Sequence, residues 1–243
     1  MSPKYYIGTS GWHYEHWRGR FYPEDLPKPK WLEFYARSFD TLELNNSFYH
    51  LPTEKAFANW HDSSPHGFTF SVKVSRFITH IKRLKDVEKA LVKFIDRAKL
   101  LENKLGPLLY QLPPGLHRND LLLEDFLKLL PRDLSHVFEF RHESWFAKEV
   151  YDLLRKYNAG FCIYDMPDLT TPLEVTADFV YVRFHGRGWL YGGCYSDEEL
   201  SKWAQDIKRL SKNKKAAYSY FNNDAEGFAI QNALTLKKKL KGS

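Results

Sequence analysis

The sequence predicts an α/β fold, a single (β/α)8 TIM-type barrel in which residues 1–243 form one domain. Three observations predict it. Short β-rich runs alternate with longer helical patterns about eight times, and parallel neighbours need such crossovers. The segment after the first run, Gly8-Thr9-Ser10-Gly11-Trp12-His13, lacks the G-x-G-x-x-G of an open dinucleotide-binding sheet. The length of 243 residues suits eight strand–helix units, and no Pro/Gly/Ser linker divides them.

The elements follow in order. Tyr5–Ser10 is the first strand, followed by a long aromatic loop to Pro23 and a helix over Lys30–Ser38. Thr41–Asn46 and Thr69–Val74 are the next strands, with a helix over Glu54–Asp62 between them. The third helix, Val87–Leu105, carries the stripe Val87, Leu91, Phe94, Ile95, Ala98 and Leu101 at helical spacing. Strand Leu108–Leu112 precedes a helix over Asn119–Leu130, which Asn119 caps and whose stripe is Leu121, Leu122, Phe126, Leu129 and Leu130. Strand His136–Arg141 and helix Phe146–Tyr157 make the fifth unit. Strand Gly160–Asp165 is followed by a degenerate crossover, Met166–Asp178, too short and too rich in Pro and Thr for a full helix. Strand Phe179–His185 leads to a helix over Asp197–Lys212, opened by a capping box of Ser196 and Glu199. Strand Ala216–Asn222 and helix Gly227–Leu240 complete the chain.

Side chains alternate along a strand, so parity separates the helix-facing set from the barrel-facing set. In His-Val-Phe-Glu-Phe-Arg, Phe138 and Phe140 meet the helices and leave Glu139 and Arg141 inward. By the same rule Glu43 and Asn45, Lys73, Gln111, Arg183 and His185, and Asn222 with Tyr220 point inward. Several strands thus aim charged or amide groups at one axis near their C-terminal ends, where barrel active sites are built. An unpaired charge there costs several kcal/mol, so these groups must pair with one another, meet water or bind something. One bland outcome is a self-satisfied network of Glu43, Glu139 and Asp165 with Lys73, Arg141 and Arg183.

The loops above the strand ends offer two aromatic contacts, Trp12 and Tyr49, as a stacking wall over a ligand, or as loops that pack their own rings. Gly186-Arg187-Gly188-Trp189-Leu190-Tyr191-Gly192-Gly193 is either a phosphate cradle or a mobile turn. His80 can reach the mouth, although a lone histidine is more often structural.

Net charge is +6, but Lys202 onward carries ten Lys/Arg against three Asp/Glu, so the first 201 residues are near neutral at −1. The basic runs fall near helix ends, where cations complement the dipole, or else form a phosphate-binding patch remote from the mouth. Cys162 and Cys194 lack metal-ligand spacing and fit a reducing compartment. No apolar run approaches the roughly 20 residues of a membrane helix, and Met1-Ser2-Pro3-Lys4 opens no signal core, so the expectation is a cytoplasmic protein without a membrane partner.

Several segments occur together in order: Gly8-Thr9-Ser10-Gly11-Trp12, Phe21-Tyr22-Pro23, Glu43-Leu44-Asn45 with Phe48-Tyr49, Phe70-Ser71-Val72-Lys73, Thr79-His80 and Gln111-Leu112-Pro113-Pro114. Glu139-Phe140-Arg141-His142 with Ser144-Trp145, Arg183-Phe184-His185-Gly186 and Phe221-Asn222-Asn223-Asp224 continue the series. This pattern, from Tyr5 to about Leu236, resembles the YecE-like family, a domain-of-unknown-function family. The resemblance implies a TIM-type barrel; it supplies no activity and no catalytic residues. A likeness to barrel nucleases is a fold-level analogy, and their His-rich metal set is not matched.

The leading expectation is an enzyme, a hydrolase, lyase or isomerase, acting on a phosphorylated or carboxylated small molecule. Lys73, Arg141 and Arg183 hold the anion. Glu139 or Glu43 acts as base with His185 as acid–base partner, and Asn45, Gln111 and Asn222 orient hydroxyls. No cofactor is expected; the alternative is a divalent metal on Glu43, Glu139, Asp165 and His185. Alternative functions are nucleic-acid binding or phosphodiester hydrolysis, and a non-catalytic ligand-binding module.

Overall fold

The structure, a computed structural model, describes residues 2–167, 171–186 and 192–241. Eight parallel strands form a nearly closed barrel: β1 Lys4–Thr9, β2 Thr41–Leu44, β3 Thr69–Lys73, β4 Leu105–Gln111, β5 His136–Glu139, β6 Gly160–Asp165, β7 Phe179–Phe184 and β8 Ala216–Phe221. The helices are α1 Trp31–Tyr35, α2 Asn46–Tyr49, α3 Glu54–Ser63, α4 Glu88–Ala98, α5 Asp120–Lys128, α6 Lys148–Lys156, α7 Asp197–Leu210 and α8 Phe228–Lys241. Asn119 accepts the Leu122 N–H as the cap of α5, and Ser196 and Glu199 form the expected capping box on α7.

Parity along the strands is obeyed. Leu42, Leu44, Phe70, Val72, Phe138, Phe140, Val180, Val182 and Phe184 all join the core between sheet and helices. A second, smaller core lies inside the barrel, where Leu109, Val137, Cys162, Phe179, Tyr181 and Tyr220 pack together with the stacked pair Tyr6 and Tyr218. These largely apolar layers fill the lower barrel, and the charged inward residues sit at the strand ends above them.

Some boundaries move. The long helix expected to Leu105 stops at Ala98, and Lys99–Lys104 tighten into 3-10 turns with Glu102 at φ 49°. Lys104, buried, donates to the Ser64 and His61 carbonyls at the end of α3. The stripe on α5 is rotated from the expected one: Leu123, Phe126 and Leu127 are buried, whereas Leu121 is 76% exposed. The alternation of four leucines and phenylalanine fits more than one helical face, and only packing chooses between them.

The degenerate crossover after β6 works through threonine hydroxyls. Thr171 accepts the Tyr164 N–H, and Thr176 accepts the Phe161 N–H while donating to the Ala159 carbonyl. This stretch thereby runs along β6 where a helix would otherwise cover it; Asp168–Thr170 lie outside the described residues.

The barrel closes between β1 and β2 with a single bridge, Ser10 to Glu43. Below it the Tyr35 hydroxyl fills the seam, accepting the Thr9 N–H at 3.0 Å and donating to the Thr41 carbonyl at 3.2 Å. A Cβ on Gly8 would stand 2.4 Å from that carbonyl, so this approach requires glycine. Tyr35→Phe strands both backbone groups and is expected to cost about 1–3 kcal/mol in urea denaturation. A loss below about 0.5 kcal/mol would show that the seam closes without this hydroxyl.

Candidate functional site

The inward residues at the strand ends converge. Glu43 at the end of β2 is fully buried; its Oε1 accepts from Ser10 Oγ at 2.6 Å and Arg183 Nη2 at 2.8 Å, and its Oε2 accepts from the Tyr181 hydroxyl at 2.7 Å. Glu139 at the end of β5 is also fully buried; its Oε2 accepts from Arg183 Nη1 at 2.5 Å, and its Oε1 accepts from Gln111 Nε2 at 2.8 Å and from Arg141 Nε. Arg183 therefore spans the barrel axis as a fork between two carboxylates, each donation charge-assisted. Burial by itself favours the neutral acid at Glu139, but Arg141 and Arg183 beside it outweigh that and hold its carboxyl well below the usual carboxylate range.

His185 sits above Arg183, fully buried. Its Nε2 lies 3.0 Å from Arg141 Nη2, and the Asn222 amide lies 3.3 Å from its Nδ1. A guanidinium can only donate, so Nε2 accepts and the ring is neutral. Burial, then the Arg183 charge, pushes its pKa down to about 3.

Lys73, the last residue of β3, differs from the rest. It is 9% exposed, and its Nζ stands 4.0 Å from the centre of the Phe48 ring. Among the described residues its ammonium has no carboxylate or hydrogen-bond partner, because Arg141 and Arg183 occupy both glutamates. Burial, then the Arg183 charge, pulls its pKa down to about 7 against the opposing pull of Glu139 and Glu43. His80, in a single π turn over Phe77–Ile81, packs edge-on to the same Phe48 ring and is lowered to about 4 by burial and then by Lys73.

Glu43, Lys73, Gln111, Glu139, Arg141, Arg183, His185 and Asn222 are thus brought to one mouth. Asp165 is not joined to it, and Asn45, Trp12 and Tyr49 make no side-chain hydrogen bond with it among the described residues. Asp165 follows Phe161 and Ile163 in strand parity, faces the helices and lines a hollow with Glu199, Lys202 and Trp203 of α7. The proposed metal set of Glu43, Glu139, Asp165 and His185 is therefore not assembled, and among the described residues no three His, Cys, Asp or Glu side chains are grouped for a metal ion. Asn45 precedes α2, and its Oδ1 is buried without a hydrogen bond. Trp12 is buried against Trp60, and Tyr49 is 63% exposed. The aromatic loop packs its own rings, with Tyr22 stacked on Trp31 at 4.6 Å. In the glycine-rich loop, Arg187–Tyr191 lie outside the described residues. Ser10 and Tyr181, which hold Glu43, were missed; alternation with Arg183 and His185 places Tyr181 inward, and alternation with Ile7 does the same for Ser10.

The C-terminal lysines lie at the opposite rim and are largely committed. Lys237 donates to the Ser38 carbonyl, Lys214 to the Ala177 carbonyl and Lys208 to the Lys239 carbonyl, while Lys241 pairs with Asp40, Lys239 with Asp197 and Lys215 with Asp178. No helix among the described residues is long and apolar enough to cross a membrane.

The model of a family described as a protein of unknown function, DUF72, matches residues 6–243. The chain belongs to this family. A DUF72 family protein of Thermotoga maritima superposes with a TM-score of 0.90 at 33% identity, covering 98% of this chain and 99% of that one. A DUF72 family protein of Enterococcus faecalis, 22% identical, has a TM-score of 0.86 over 98% of this chain and 96% of its own and shows the shared barrel. The chain is also 27% identical to YunF of Bacillus subtilis over 93% of its length and 91% of that protein's. YecE of Escherichia coli aligns over about half of each chain, 49% of this one and 47% of its own, at 31% identity. The expected YecE-like membership and TIM-type barrel are both shown, and the DUF72 description assigns no reaction.

Proposed function

We propose that this DUF72 barrel is an enzyme whose mouth binds a small phosphorylated or carboxylated molecule. The observation that carries this reading is the convergence of three basic side chains, Lys73, Arg141 and Arg183, on one mouth whose two glutamates the arginines already occupy. Arg183 is wholly buried beneath the mouth, so it sets the field and does not reach a ligand. Arg141 is the cation that can. Its Nε is held by Glu139 and its Nη2 by His185, but among the described residues its Nη1 meets only the Met166 sulfur, a weak acceptor that an anion would displace.

In this reading Glu43 and Glu139 anchor the arginines, since every one of their oxygens already accepts a hydrogen bond. Proton exchange with a bound molecule falls to His80, partly exposed and neutral, with Nδ1 held at 2.9 Å from the Thr79 hydroxyl. A nucleic-acid ligand has less support, because most of the basic C-terminal residues are held within the protein.

Isothermal titration with inorganic phosphate at low ionic strength tests the reading. Arg141→Met is expected to weaken phosphate binding by at least about tenfold, as loss of a charge-assisted hydrogen bond costs about 1.5–3 kcal/mol. Equal affinity in the wild type and in Arg141→Met would move the anion away from the mouth and overturn the reading.

A further inference from the structure

We propose that Lys73 is a nucleophile that forms an imine with the carbonyl carbon of an aldehyde or ketone whose phosphate or carboxylate is held by Arg141. The inference rests on the anion-binding reading above and adds the substrate's reacting group and the residue that attacks it.

Among the described residues two lysines are buried, and they are treated differently. Lys104, 7% exposed, is saturated by three oxygens: the His61 and Ser64 carbonyls and the Ser64 hydroxyl at 3.0 Å. That is how this chain buries a lysine for structural purposes. Lys73, 9% exposed, has none of these acceptors among the described residues. It lies at the C-terminal end of its strand, beside the opening, with its amine fixed over the Phe48 face. The groups around it are Arg183 from β7, Glu139 and Arg141 from the end of β5, Glu43 from β2 and His80 from the turn after β3. Because Arg183 and Arg141 hold the two glutamates, the amine meets cations and an apolar ring and has no carboxylate of its own among the described residues. It therefore loses its proton near neutral pH, at about 7. An amine that ionises there has on the order of a thousandfold more free base at pH 7 than an ordinary lysine. Free amine, desolvated and positioned, is the form that attacks carbonyl carbon.

The step balances without any further reagent. The Nζ lone pair forms the C–N bond, and the carbonyl π pair moves to oxygen. A nitrogen proton transfers to that oxygen, giving the carbinolamine. The C–O bond then breaks, and the oxygen leaves as water with the second nitrogen proton as C=N forms. The imine takes one proton from solvent and becomes an iminium. Such an iminium withdraws electrons from the adjacent carbon, which suits cleavage or proton transfer there.

The test uses the full-length protein with pyruvate and with dihydroxyacetone phosphate as separate probes, each reduced by sodium borohydride and mapped by peptide mass spectrometry. The expected result is an irreversible adduct on Lys73 at least about tenfold above the average of the other lysines, with a labelling rate that inflects near pH 7. Lys73→Arg and Lys73→Met are expected to lose it. Peptide mapping of the wild type reads the result even if either variant fails to fold. Labelling spread over surface lysines, or centred on Lys104, overturns the proposal. Phosphate titration on the same samples separates the two readings. Phosphate binding at the mouth without a Lys73 adduct removes the imine and leaves the anion site, whereas loss of both removes the whole reading.

Discussion

Arg183→Leu is expected to destabilise the protein by about 3–5 kcal/mol at pH 7, because it leaves two buried carboxylates without their shared cation. Glu43 and Glu139 are both fully buried and both accept from this one guanidinium. Urea denaturation at pH 7 and pH 5 measures the effect. The pH dependence distinguishes lost charge pairing from lost packing. Without Arg183, burial acts on the Glu139 carboxyl with less opposition, and its folded pKa rises. A raised carboxyl pKa means that the folded state binds its proton more tightly, so stability is recovered as pH falls and lost as it rises. The deficit of Arg183→Leu should therefore shrink at pH 5. Arg183→Lys should not rescue it, since an ammonium cannot present the planar fork that reaches both glutamates. A deficit under about 1 kcal/mol, or one independent of pH, would mean that the network is not what holds the upper barrel together.

The second large effect is a loss of stability in mild acid that originates at His185. Its pKa is 6.5 when unperturbed and about 3 in the folded protein, where burial and Arg183 oppose protonation. Above pH 6.5 both folded and unfolded forms are neutral and the histidine contributes no pH dependence. Below it the unfolded chain takes up a proton that the folded chain refuses. Stability then falls with pH by about 1.4 kcal/mol per unit, or about 3 kcal/mol between pH 6.5 and 4.5. Glu139, held below its ordinary value of 4.5, adds its own loss only below that pH. His80, lowered to about 4, adds a shallower contribution in the same window. His185→Gln keeps an acceptor for Arg141 and should flatten the slope by about one proton. Identical slopes in the wild type and His185→Gln would assign the acid sensitivity elsewhere.

Both predictions concern groups that strand alternation alone picks out. Phe138 and Phe140 must meet the helices, which turns Glu139 inward, and the same rule turns Glu43, Lys73, Gln111, Arg183 and His185 to the axis. Asp165 shows the limit of reading by charge. Its own parity with Phe161 and Ile163 points it outward, and grouping it with the other acids set aside a signal already present. Trp12, which packs against Trp60, shows another limit. Loop rings carry no periodicity, so nothing local tells a ring that packs under a loop from one that faces a ligand.

Architecture and the identity of the mouth residues follow from local rules: the repeat of strand and helix, the period of two along each strand, and the turn chemistry of Asn119 and Ser196. Each of these is decided within a few residues of chain. The partnership of charges is not. Arg183 is 140 residues from Glu43 and 44 from Glu139, and nothing in either neighbourhood says that one guanidinium takes both carboxylates. That allocation depends on barrel register and on burial, which make each hydrogen bond exclusive and each leftover charge costly. Among the described residues it leaves Lys73 as an amine without a carboxylate partner, a difference from Lys104 that emerges only when strands distant in sequence close around one axis.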